Sequence, residues 1–96
     1  MPNRQDIPGL DAFVASVVPR LGQRQIPRHI LTVLTDAYPY GVGPLTLRGR
    51  VATAMGKTPG RAYYASAIAT LWDMGAITFD DLDNGWVLNL PKETKQ

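Results

Sequence analysis

The chain contains no cysteine and a single histidine, His29. That removes disulfides, thiolate metal sites and cysteine nucleophiles together, and leaves few ways to build a metal centre. No run approaches the roughly 18 apolar residues that a membrane-spanning helix needs. The opening residues, Met1 to Asp6, lack the apolar stretch of a secretory signal. The expected location is therefore cytoplasmic, with no membrane partner. Net charge is also small, +2 over 96 residues, so the sum does not mark a nucleic-acid binder and the distribution carries the information. Acidic residues are missing from the whole interval between Asp36 and Asp73, which holds Arg48, Arg50, Lys57 and Arg61. The sign then reverses, because Asp73, Asp80, Asp81 and Asp83 follow with no base among them.

What is present is a hydrophobic content of 45% spread along the chain, enough for one small core held by packing alone. The ends, 1–6 and 92–96, are polar and bounded by Pro2, Pro8 and Pro91, and are expected to be mobile. Leu10, Phe13, Val14, Val17 and Val18 recur at helical spacing, with Pro19 as the expected stop. Gly22 to Ile26 reads as a polar connector. Pro27 then suits the first turn of a helix that buries Ile30, Leu31, Val33, Leu34 and Ala37 and ends at Pro39. Tyr40 to Pro44 is a loop, with a very short extended piece expected at Leu45.

Thr46 is the expected cap of a third helix carrying Leu47, Val51, Ala54 and Met55, closed by a left-handed Gly56. Gly49 in its interior weakens it by about 1 kcal/mol relative to alanine. Thr58 followed by Pro59 is a strong start signal for a fourth helix, which runs to about Met74 with Gly75 as its stop. On it Tyr64, Ala65, Ile68, Leu71 and Trp72 are expected to face the core, and Tyr63, Ser66, Ala67 and Thr70 to face away. Ile77 to Leu82 and Trp86 to Leu90 form a hairpin about a two-residue Asn84-Gly85 turn. Ile77, Phe79, Trp86, Leu88 and Leu90 then share its covered face, and Thr78, Asp80 and Asn89 its wet one.

Helix, glycine turn, proline-started helix and hairpin, in that order, resemble a winged helix-turn-helix. Ala52 and Gly56 match the small residue and turn glycine of the motif, and Val51, Met55, Ala62 and Ala65 its packing positions. Lys57 departs from it, since an apolar residue is common after the turn glycine. Leu71 to Ile77 looks like the passage from recognition helix into wing. The resemblance covers about half the chain. It implies a mainly α fold with a small β-hairpin: three core helices, a short N-terminal helix ahead of them and a C-terminal two-stranded wing. The implied division is 1–26 as tail and short helix, 27–91 as the winged-helix domain and 92–96 as tail.

The same resemblance implies double-stranded DNA as partner, bound without catalysis or cofactor by a small transcriptional regulator or accessory factor. Arg48, Arg50, Lys57 and Arg61 would meet phosphates or bases, with Arg61 and Tyr63 reading the groove. Ser66, Ala67 and Thr70 would line the groove beside Tyr63, and the helix start at Thr58 would favour a phosphate. Four phosphate contacts imply a salt slope of roughly −3.6 and weak binding by one copy, which a homodimer through the N-terminal helix would strengthen. Packing of that helix on its own domain is the plainer alternative. Equally, the four cations can simply solvate two amphipathic helices.

Asp80, Asp81 and Asp83 oppose any approach of the hairpin tip to phosphates. The rival use of the fold is a protein-protein interaction module, docking through that acidic tip or the N-terminal helix. Enzyme-like strings fail on inspection. Gly56-Lys57-Thr58 lacks the earlier glycine of a phosphate loop, which is Val51 here. Asp80 to Gly85 has Leu82 and Pro91 where a calcium loop needs ligands. His29 has no serine or carboxylate partner recognisable as a triad. Among the aromatics, Tyr64, Trp72 and Trp86 fall on expected core faces, so Tyr63 is the one exposed stacking candidate on the fourth helix.

Overall fold

The structure, a computed structural model, describes residues 9–90; the expected mobile ends at 1–6 and 92–96 lie outside the described residues. Among the described residues, four helices are followed by one antiparallel hairpin: α1 (Leu10–Leu21), α2 (Gln25–Ala37), α3 (Pro44–Met55), α4 (Arg61–Asp73), β1 (Ile77–Asp80) and β2 (Gly85–Leu88). No described helix is long and apolar enough to cross a membrane.

α2 is the hub because its apolar residues span more than one face. Pro27, Ile30, Leu31, Val33 and Leu34 are all buried, and the helix packs against α1, α3, α4 and β2. α1 belongs to the same core: Leu10, Val17 and Leu21 are buried, and Phe13, Val14 and Val18 pack against the cluster. The side chains that suggested a dimer surface are thus largely spent inside the protomer. α1 also runs through Pro19 instead of ending there. Proline removes one helical hydrogen bond, but Ala15, whose carbonyl loses that donor, is exposed and accessible to water. Continuing the helix buries Leu21 completely, which offsets the loss.

α3 starts earlier than expected, with Gly43 as its N-cap and Pro44 in the first turn; Thr46 is already inside. A proline there gives up only an amide that would have lacked a partner. The extended residue before α3 is Val42, not Leu45, and it bridges to Trp86 of β2. Gly56 does close α3 with φ 76°, its amide reaching Thr53. A Cβ at Gly49 would meet no atom within 4 Å, so only its backbone freedom weighs against the helix. Gly49→Ala is expected to raise stability by about 0.5–1 kcal/mol, read as a higher urea midpoint at unchanged m-value.

α4 begins two residues after Pro59, at Arg61, with Gly60 as N-cap. Thr58 caps nothing. Pro59 is buried in the corner between α3 and α4, and burying that ring outweighs a local start signal. The buried side of α4 is also turned from the expected one. Ala67 and Leu71 are buried, with Tyr64 and Ile68 half-buried, whereas Ala65 and Trp72 are exposed.

In the hairpin the pairs are Ile77 with Leu88, Thr78 with Val87, Phe79 with Trp86 and Asp80 with Gly85. The connection is therefore the four residues Asp81 to Asn84, not a two-residue Asn84-Gly85 turn. Asn84 does take a positive φ of 53°, but Gly85 is claimed by the strand, packed against the Val42 backbone. Ile77, Phe79, Trp86 and Leu88 still share a face, because the pairing moved by an even number of residues. Trp86 meets Phe79 and Trp72 edge to face, with centroids 5.2 and 5.7 Å apart, fastening the hairpin to α4.

Candidate nucleic-acid interface

The corner between α3 and α4 does not gather its cations on one surface. Arg48 and Arg50 lie two apart on one helix and so point roughly 160° away from each other. Arg50 is exposed, whereas Arg48 is half-buried. Its guanidinium donates to the Pro59 carbonyl at 3.4 Å and lies 5.8 Å from the centre of the Tyr64 ring. Arg48 is thus a brace across the corner, not a free phosphate contact. Lys57, Thr58 and Arg61 are exposed at the corner itself. With Gly60 supplying no side-chain cap, the first amides of α4 remain open to an anion beside them.

Beneath Arg48, burial pushes the Tyr64 hydroxyl above its ordinary pKa, with the neighbouring Arg48 charge pulling it down less strongly. The unfolded chain then loses this proton first. The stabilising contribution is complete below about pH 10, the unfolded value, and is lost as pH rises above it. The same hydroxyl is buried without a hydrogen-bond partner among the described residues. Tyr64→Phe is accordingly expected to be as stable as the parent or up to about 1 kcal/mol more stable at neutral pH. Urea midpoints followed upward from about pH 9 should fall less in the phenylalanine variant.

The outer flank of α4 is not an open face throughout. Tyr63 is 74% exposed and Ser66 is exposed, but Thr70 is half-buried and Ala67 only 5% exposed. The last is a core contact, which corrects its expected place in a groove-facing row. All four nevertheless meet along one wall of a cleft of about 340 Å³, whose opposite wall is the segment from Arg24 to Pro27. Arg24 donates to the Thr70 hydroxyl at 3.5 Å, a long contact that leaves most of its donors available. Reading along the chain missed Arg24, because it sits in a polar connector and only the packing of α2 on α4 brings it beside residues 46 positions away.

The acidic hairpin tip is held at the other end of α3. Asp83 accepts the Gly41 amide at 2.7 Å and Asp80 accepts that of Leu82 at 2.9 Å. Two of the three carboxylates thus organise loops, and Asp81 is the exposed charge without such a role. Gly41 lies just before the start of α3, and a helix of 12 residues is about 18 Å long. The tip is separated from Lys57 and Arg61 by most of that length. Leu82, at 96% exposure, projects from the tip, and Tyr40 and Leu45, on the segment joined to it, are 70% and 87% exposed.

No family model, curated protein or solved structure matches this chain.

Proposed function

We propose that the chain is a winged helix-turn-helix module that binds double-stranded DNA without catalysis, in a small regulator or accessory factor, with α4 as the helix that enters the major groove. One observation carries the reading: exposed cations flank α4, Lys57 and Arg61 at its start and Arg24 beside its later half. No carboxylate occurs in the sequence between Asp36 and Asp73. The order α2, Val42 bridge, α3, α4, hairpin supports it as well. In this arrangement Lys57, Arg61 and Arg24 hold phosphates, Thr58 and the open start of α4 receive another, and Tyr63 and Ser66 face base edges. The alanines exposed on α4, Ala62, Ala65 and Ala69, offer only apolar contacts such as thymine methyls, so sequence discrimination should be modest.

Fluorescence anisotropy with a mixed-sequence duplex tests this. Three phosphates neutralised by lysine or arginine give a slope of about −2.7, so binding should weaken about 40-fold between roughly 50 and 200 mM salt. Binding that is absent, or that ignores salt, overturns it. The second reading, a protein-docking module, is favoured by Leu82, exposed between Asp81 and Asp83 at the tip. A partner that uses this surface would be released by Leu82→Ser or Asp81→Asn, which leave the carboxylates of Asp80 and Asp83 in their structural roles.

A further inference from the structure

The cleft between α4 and the start of α2 has an apolar floor that the proposed DNA contacts do not use, beside Arg24 and Ser66, which they share. Its floor is apolar: Ala67 and Pro27 are buried and Ile26 is half-buried. Its rim is charged in one sense only, with the neutral Ser66 and Thr70 hydroxyls on one side and the Arg24 guanidinium on the other. None of the described residues lining it is acidic. At about 340 Å³ it falls at the small end of the range for organic ligands, roughly 300–1,000 Å³.

We propose that this cleft binds a small organic anion, an aromatic or aliphatic body bearing one carboxylate. The apolar floor takes the body, which a hydrated inorganic ion cannot exploit. Arg24, the one cation among the described residues at the rim, fixes the sign and number of charges. Arg24 spends one donor on Thr70 at 3.5 Å and keeps a planar fork for a carboxylate. The start of α2 adds to this in the same direction. It has no side-chain cap and no acidic residue in its first turn, so the positive end of its backbone dipole, at Gln25 and Ile26 in the cleft lining, favours an anion there. A neutral amide of equal shape would lose the charge-assisted bonds. A phosphate would lose the floor.

Benzoate is the probe, titrated into the full chain while amide proton and nitrogen shifts are followed. Saturable shifts are expected at Gln25, Ile26, Ser66, Ala67 and Thr70. Arg24→Gln, at an exposed position, should weaken binding about 10-fold, the effect of one charge-assisted pair. Benzamide should bind the parent about as weakly. Ala67→Leu, which fills the floor, should abolish saturation. Shifts that never saturate, benzamide or inorganic phosphate binding as tightly as benzoate, or an Arg24→Gln variant that binds unchanged would each overturn the proposal. No duplex is present in this titration, so its failure leaves the DNA reading untouched, and the reverse holds.

Discussion

Gly85→Ala is expected to lower stability by about 2 kcal/mol, a shift of roughly 10 °C in midpoint temperature for a domain of this size. A Cβ at that position would lie 2.5 Å from both the carbonyl carbon and oxygen of Val42 and 2.8 Å from the Gly43 nitrogen. These are backbone atoms, which cannot rotate away as a side chain would. Nor can the two segments drift apart freely, because Val42 and Trp86 exchange two hydrogen bonds of 2.8 Å. Relief therefore means breaking that bridge, at about 1 kcal/mol for each bond, or accepting overpacking of about 1–3 kcal/mol. Urea unfolding checks the size of the effect. An alanine variant within about 0.5 kcal/mol of the parent would show that the Val42 segment does not lie against β2.

The same glycine explains why the hairpin was only partly legible. Asn84-Gly85 is a strong two-residue turn signal by local chemistry, and Asn84 does adopt the left-handed conformation. The turn lengthens because Gly85 is the residue small enough to pass under Val42, a demand set by a segment some forty positions earlier. Local signals survived where no distant contact competed. Gly56 closes α3 as its left-handed preference requires, and α2 buries the apolar side its spacing marked.

α4 was harder to orient, because Ala62, Ala65, Ala67 and Ala69 give the pattern little contrast. Trp72 drew the expected core stripe towards itself. In the fold that ring lies against Trp86 at 49% exposure, and Leu71 with Ala67 sets the inner side. The proposed interface was legible in composition but not in direction. The acid-free interval locates the cations, whereas Arg48 turns inward because the Pro59 carbonyl and Tyr64 ring are within its reach. Arg24 enters only through the meeting of α2 and α4.

In the proposed DNA-bound arrangement these directions make the cations inequivalent. Changing Arg24, Lys57 and Arg61 together to alanine is expected to flatten the salt dependence by about 2.7 in slope and to weaken duplex binding on the order of 10²-fold near 0.1 M salt. All three side chains are exposed, so the variant should unfold within about 0.5 kcal/mol of the parent. Arg50→Ala, on the flank of α3 away from Arg48, should leave the slope within about 0.3 of the parent value. Arg48→Ala should show the opposite split: a loss of about 1 kcal/mol in stability from the severed corner contact, with little change in slope. Parallel anisotropy and urea titrations on the three variants separate the effects. If Arg50→Ala reduces the slope by about 0.9, the share of one phosphate contact, the duplex lies across the outer flank of α3, and α4 is not the helix that meets the groove.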